Sequence, residues 1–281
     1  MRVERVCVVG AGVIGSLYAA HLAQVAEVSV LTRRDEHARS LREEGLHVSG
    51  RHEFTSRLVA ASTDPAELPE PEVVIVATKA TDLEPAAARL EGRFPDAVVM
   101  TVQNGLGAEE VIRRYGGWPL VSGVTFMSGT RHADMHVEYV LNTETWLGPY
   151  EATPFETAQA IAELLVRSGL KAEAMPDLRP AQWSKLIFNA TVNGLAALTG
   201  LPHDFHFAAE DEPFDLGHLV HGRRAPPPSS RPASSGSWRR RRCTRRPRLP
   251  RQRMPSRTAA ASRPSRTASA TRRRSRGTSS A

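Results

Sequence analysis

Short apolar runs recur through the first half of the chain, at 6–9, 28–31, 73–77, 98–102 and 120–124, and most of their residues are valine, isoleucine or leucine. Runs of four or five such residues, set between longer mixed segments, suit parallel strands buried on both faces by crossover helices. The alanine- and leucine-rich stretch 15–26 is the expected first crossover helix. The alternation predicts an α/β fold with a doubly wound parallel sheet.

Further along the pattern changes. Residues 137–140 and 144–148 read as a hairpin turning at Asn142. From 155 to 167, a helical period places Phe155, Ala158, Ile161, Ala162 and Leu165 on one face, and Gly169 is suited to end that helix. Residues 171–175 predict a last strand. Asp177 is placed to cap a further helix carrying Trp183, Leu186, Ile187, Ala190, Leu195 and Leu198. After Gly222 the periodicity stops, and Pro, Ser, Arg, Ala and Thr dominate, with only Trp238, Leu249 and Met254 as larger apolar residues. Such a segment buries too little surface to offset the entropy of ordering, so 223–281 is expected to be disordered.

Charge sharpens that division. Residues 223–281 hold 19 arginines and no Lys, Asp or Glu, so a total of +7 leaves −12 on the preceding 222 residues. The basic character belongs to the tail, and nucleic acid is not the expected partner of the acidic globular part. Cys7 and Cys243 are the two cysteines, too few and too far apart for a disulfide framework or a metal-ligand spacing, so no metal is expected. The N-terminal apolar run stops at Gly10, unlike a secretory signal, and no run reaches the roughly 18 apolar residues a membrane span needs. A soluble cytoplasmic protein with no membrane partner is the expectation.

Candidate chemistry begins where the first run ends. Gly10-Ala11-Gly12-Val13-Ile14-Gly15 follows a strand and opens a helix. In that position Gly10 permits a tight turn, Gly12 lets backbone approach a pyrophosphate, and Gly15 lets helix and strand pack closely. This is the fingerprint of a Rossmann-type dinucleotide site. An acid at the end of the second strand would read a ribose 2′-hydroxyl, but Thr32-Arg33-Arg34 stands there instead. Arg33 can grip a 2′-phosphate, which favours NADP, while Asp35 keeps NAD open. The expected organisation is a nucleotide-binding domain over 1–176, a partial helical domain over 177–222 and the basic tail over 223–281.

Three polar clusters fall where the nicotinamide end should lie. Thr78-Lys79 and Gln103-Asn104-Gly105-Leu106-Gly107 each follow a predicted strand at its carboxyl end. Lys185, Asn189 and Asn193 recur at i, i+4 and i+8, one face of a helix. That face could line a cleft or equally be a solvated stripe.

Together with Arg33 and the glycine motif, these clusters resemble the ketopantoate reductase (2-dehydropantoate 2-reductase) family, over about residues 3–200 and in the right order. The turn at Arg42-Glu43-Glu44-Gly45-Leu46-His47-Val48 is also similar. The resemblance implies reduction of a small 2-keto acid, 2-dehydropantoate, to pantoate by NADPH, on the route to pantothenate. It implies Lys185 as general acid, Asn189 and Asn193 on the substrate's hydroxyl and carboxylate end, Asn104 near the nicotinamide ribose and substrate, and Thr78 and Lys79 beside the cofactor or substrate. The family's helical domain runs on with a substrate-binding Ser and Glu, whereas no Glu follows Glu212 here and no acid follows Asp215. The abrupt change at Gly222 reads as a frame slip, since GC-rich sequence read out of frame yields Arg, Pro, Ser and Ala. Weak or absent turnover with retained dinucleotide binding is the corresponding expectation. Two other readings stand beside it: a reductase of another 2-keto acid or carbonyl substrate, and an NADP-binding protein whose Arg-rich tail grips nucleic acid.

Overall fold

The computed structural model describes residues 3–199. The predicted end of the partial helical domain, over 200–222, and the predicted disordered tail, over 223–281, lie outside the described residues.

Parallel strands β1 (Arg5–Val9) and β2 (Glu27–Leu31) are joined by helix α1 (Val13–Leu22). Helix α2 (Asp35–Glu44) leads to β3 (Leu46–Gly50), β4 (Phe54–Ser56) and the short β5 (Ala60–Ser62), and β5 returns beside β2. On the other side of β1 come β6 (Val73–Val76), helix α3 (Leu83–Leu90), β7 (Val98–Thr101), helix α4 (Ala108–Arg113) and β8 (Leu120–Thr125). Strands β9 (Ser128–Ala133), β10 (His136–Leu141) and β11 (Thr145–Pro149) follow, then helix α5 (Phe155–Arg167), β12 (Ala172–Ala174) and helix α6 (Arg179–Thr199).

The main sheet has eight strands in the order β12-β11-β8-β7-β6-β1-β2-β5. Its pairings are parallel except for β8 with β11, so the two strands at one edge run against the rest. Strand order reverses at β1 and β6, which opens a crevice at their carboxyl ends.

The uniform apolar runs have a direct cause. Val6 and Val8 point into one core layer with Leu17, Leu41, Ile75, Met100 and Ile161. Cys7 and Val9 point into the opposite layer with Val74, Leu83, Leu90 and Ile112. Both faces of a central strand are therefore covered, and neither parity needs polar residues. Cys7 is an apolar filler here; complete burial pushes its thiol up to about 12.

The expected hairpin of 137–140 with 144–148 does not form. β10 belongs to a separate four-stranded sheet, order β4-β3-β10-β9, whereas β11 pairs with β8 in the main sheet. The actual hairpin joins β9 to β10 across Asp134 and Met135. Burial explains the separation. Val137 and Tyr139 face the α1 core, whereas Thr145 to Gly148 are buried on both faces and need the larger sheet. The small sheet is tied to α1 by buried His21, whose Nδ1 donates to the Leu17 carbonyl at 2.8 Å and whose Nε2 lies 2.7 Å from His52 Nδ1. A carbonyl can only accept, so neutral His21 receives the proton of His52.

Helix α6 starts where Asp177 Oδ1 accepts from the Arg179 backbone at 3.0 Å. Its apolar residues do not all pack. Val192 is buried, but Trp183 is 55% exposed and Ile187 62%.

Candidate active site

The glycine turn sits at the carboxyl end of β1. Gly10 has φ +98, a region open to glycine, and a Cβ there would lie 2.9 Å from Thr78 Cγ2. A Cβ on Gly15 would lie 1.8 Å from the Gly10 carbonyl oxygen. Around Gly12 no heavy atom comes within 4 Å of a built Cβ, so its face is open to an approaching group. Gly12 is also the N-cap of α1, with no side-chain cap and no acid in the first turn. The first-turn N–H groups and the positive end of the helix dipole are therefore available to an anion. This cradle fits the pyrophosphate of a dinucleotide. Ala11, Val13 and Ile14 complete the turn.

The two arginines after β2 have different tasks. Arg34 is turned to the small sheet, 2.5 Å from Asp134. Arg33 reaches the other way, its Nη1 2.9 Å from Asp82 Oδ1 in the single 3-10 turn after β6. Since β1 lies between β2 and β6, this pair joins the loops on either side of the glycine turn. Asp35 accepts a hydrogen bond from Thr63.

At the ends of β6 and β7, Gln103 Nε2 donates to the Val76 and Thr78 carbonyls at 2.9 and 3.1 Å. Thr78 Oγ1 and Gln103 Oε1 are buried and, among the described residues, without a hydrogen-bond partner. Unmet polar atoms at a sheet's carboxyl edge call for a ligand or water. Lys79 and Asn104 are exposed.

Lys185 is buried, and its ammonium donates to the Thr125 carbonyl at the end of β8. The ammonium also lies 5.2 Å from the centre of the Phe126 ring. Burial lowers its pKa from 10.5 to about 8. It lines a small pocket with Gln182, Thr101, Gln103, Glu109 and Gly123. Buried Glu109 there accepts from Thr101 Oγ1 at 3.1 Å and from Gln182 Nε2 at 3.4 Å. Asn189 is half-buried and Asn193 exposed, and neither lines that pocket; nor do Thr78, Lys79 and Asn104. Sequence reasoning missed Glu109, Gln182, Phe126 and Asp82. Only Gln182 carried a signal, since it precedes Lys185 by three positions on the same helical face.

A family model described as ketopantoate reductase PanE/ApbA matches residues 6–152. The chain belongs to the ketopantoate reductase family. The 2-dehydropantoate 2-reductase of Archaeoglobus fulgidus is 32% identical over 199 residues, 70% of this chain and 65% of that protein. The chain thus spans just under two thirds of that relative's length. The crystal structure of 2-dehydropantoate 2-reductase from Geobacter metallireducens GS-15 aligns with a TM-score of 0.66 at 28% identity, covering 73% of this chain and 69% of that one. A D-mandelate dehydrogenase solved with NADH and anilino(oxo)acetate shares the fold, with a TM-score of 0.64 at 23% identity and coverage of 70% and 65%. The ketopantoate reductase match contains the glycine turn, Arg33, Asp82, Gln103 and Glu109, and Lys185 lies beyond its last residue. Among the described residues no helix is long and apolar enough to cross a membrane, and no group of three His, Cys, Asp or Glu could hold a metal ion.

Proposed function

We propose that the chain is a nicotinamide-dependent 2-keto acid reductase, with NADPH as cofactor and 2-dehydropantoate as the substrate reduced to (R)-pantoate in pantothenate biosynthesis in the cytoplasm. One observation supports this above the others: a buried ammonium with a pKa near 8 faces the carboxyl edge of the sheet that carries the glycine turn. The cradle at Gly10, Gly12 and Gly15 binds the pyrophosphate, and Arg33 binds the 2′-phosphate. When bound, the reduced nicotinamide supplies the hydride.

Lys185 does the remaining acid work. Fixed by the Thr125 carbonyl, its ammonium hydrogen-bonds the ketone oxygen, stabilises the charge that develops there and gives up a proton to make the alcohol. A pKa of about 8 keeps it protonated near neutrality and readier to donate than a solvated lysine. Asn189 and Asn193 are assigned to the substrate's hydroxyl and carboxylate, Asn104 to the nicotinamide ribose and substrate, and Thr78 and Lys79 to the cofactor side. Another 2-keto acid with NADH is the second reading, favoured by the shared fold of the mandelate enzyme.

The test measures NADPH binding by fluorescence, then NADPH oxidation with 2-dehydropantoate and several branched 2-keto acids. Lys185→Ala is expected to keep cofactor binding and to lower any turnover by at least ~10²-fold, the scale of a lost proton donor. Wild-type turnover is expected to fall as pH rises past about 8, where the ammonium is lost. Undiminished turnover by Lys185→Ala overturns the mechanism.

A further inference from the structure

Asp82 stands at the N-cap of α3, where an aspartate ordinarily accepts from first-turn N–H groups, yet its side chain makes no such cap. Its carboxylate is turned instead to Arg33, 2.9 Å away, from the far side of the glycine turn. The Arg33 end of the bridge is set by the loop after β2: Arg89 donates through both Nη atoms to the Thr32 carbonyl at 3.3 Å, immediately before Arg33. The neighbouring charges are committed elsewhere, Arg34 to Asp134 and Asp35 to Thr63. Lys79 begins the same 3-10 turn as Asp82 and is exposed.

We propose that Asp82 is a specificity-determining residue that tempers the preference for a 2′-phosphate by holding and partly neutralising Arg33. This rests on the cofactor assignment made above. The contact uses one nitrogen of the guanidinium and leaves further donors for a ligand. A 2′-phosphate drawn to those donors would carry up to two negative charges and be repelled by the Asp82 carboxylate that shares the same guanidinium. A 2′-hydroxyl meets no such repulsion and can donate to the same carboxylate. The acid that reads the ribose in NAD sites is thus absent from the end of β2 and supplied by the loop after β6. The pair sets a modest ratio between the two cofactors.

The test titrates NADPH and NADH separately into the full chain by fluorescence or calorimetry, in wild type, Asp82→Asn, Arg33→Ala and the double variant, with thermal melts to check folding. Asp82→Asn is expected to raise the NADPH-over-NADH affinity ratio roughly five- to tenfold, the order for a carboxylate about 6 Å from a doubly charged phosphate in a water-like medium. Arg33→Ala is expected to lower the ratio below that of wild type and to shrink the effect of Asp82→Asn in the double variant. A ratio unchanged by Asp82→Asn, or an effect of equal size without Arg33, overturns the inference and leaves the cofactor assignment standing. Binding of neither cofactor to wild type overturns both. Asp82→Ser serves as the second variant should Asp82→Asn melt early, since serine can cap α3, which Asp82 does not, and removes the charge.

Discussion

Lys185 holds a charge where water cannot reach it freely, and the fold compensates with one carbonyl and one aromatic face. His21 is the opposite case, a ring kept neutral by burial. Its pKa is lowered to about 4 by desolvation, against about 6.5 in an unfolded chain. Below pH 6.5 the unfolded chain therefore takes up a proton that the folded one refuses. The stabilisation is complete above pH 6.5 and is lost as pH falls toward 4, by roughly 2 kcal/mol between 6.5 and 5. Urea melts across this range should show that loss, and a His21→Asn variant, already less stable, should show a shallower slope. Equal slopes in the two proteins would contradict the assignment. Of the charged or titratable groups that matter at this scale, Arg33 stood out in the sequence by its place after the second strand, and Lys185 only through the family resemblance, because its spacing with Asn189 and Asn193 fits a solvated stripe as well as a cleft. Glu109 was not, because nothing distinguishes it from exposed Glu110 until α4 is placed against β7 and α6.

Helix α1 and the turn before it show how one motif divides its work. Gly15 faces backbone, and Gly12 faces open space. Gly15→Ala is expected to destabilise the fold by about 2 kcal/mol or more, through an overlap that only backbone movement relieves. Gly12→Ala should melt within about 0.5 kcal/mol of wild type, the range of an exposed substitution, and still weaken NADPH binding at least tenfold. Thermal melts and fluorescence titration of both variants check the contrast, and a Gly12→Ala protein that binds normally would remove the cradle from the cofactor assignment. Elements buried on both faces were readable as unbroken apolar runs. The small sheet was not: β9 is exposed along nearly its whole length and carries no apolar rhythm, and β3 pairs in parallel with β10, which lies far along the chain. The mistaken hairpin arose from this, since two neighbouring strand-like segments give no local sign that they enter different sheets.

Across the whole molecule, charge and surface apolarity point the same way. An acidic 222-residue part precedes 59 residues holding 19 arginines, and α6 leaves Trp183, Ile187 and Leu198 exposed. The family resemblance assigns a distal Ser and Glu to substrate, and residues 223–281 contain no Asp or Glu. The 281-residue chain is therefore expected to bind NADPH and to reduce 2-dehydropantoate at least ~10²-fold more slowly than the Archaeoglobus fulgidus relative, the scale of one lost transition-state contact. Side-by-side steady-state assays decide this, and comparable rates would count against it. Exposed aromatic and aliphatic side chains on one helix should also make the protein associate as its concentration rises, measurable by light scattering.

The carbonyl of Thr125 has one more effect on the group it holds. An oxygen of this kind can only receive, so it keeps an N–H of residue 185 whether that nitrogen bears three hydrogens or two. Once a proton has left, the nitrogen's electron pair must lie away from the strand end, on the side open to the crevice or the Phe126 ring. In the reaction proposed above, the amine can therefore regain its proton without leaving the Thr125 carbonyl.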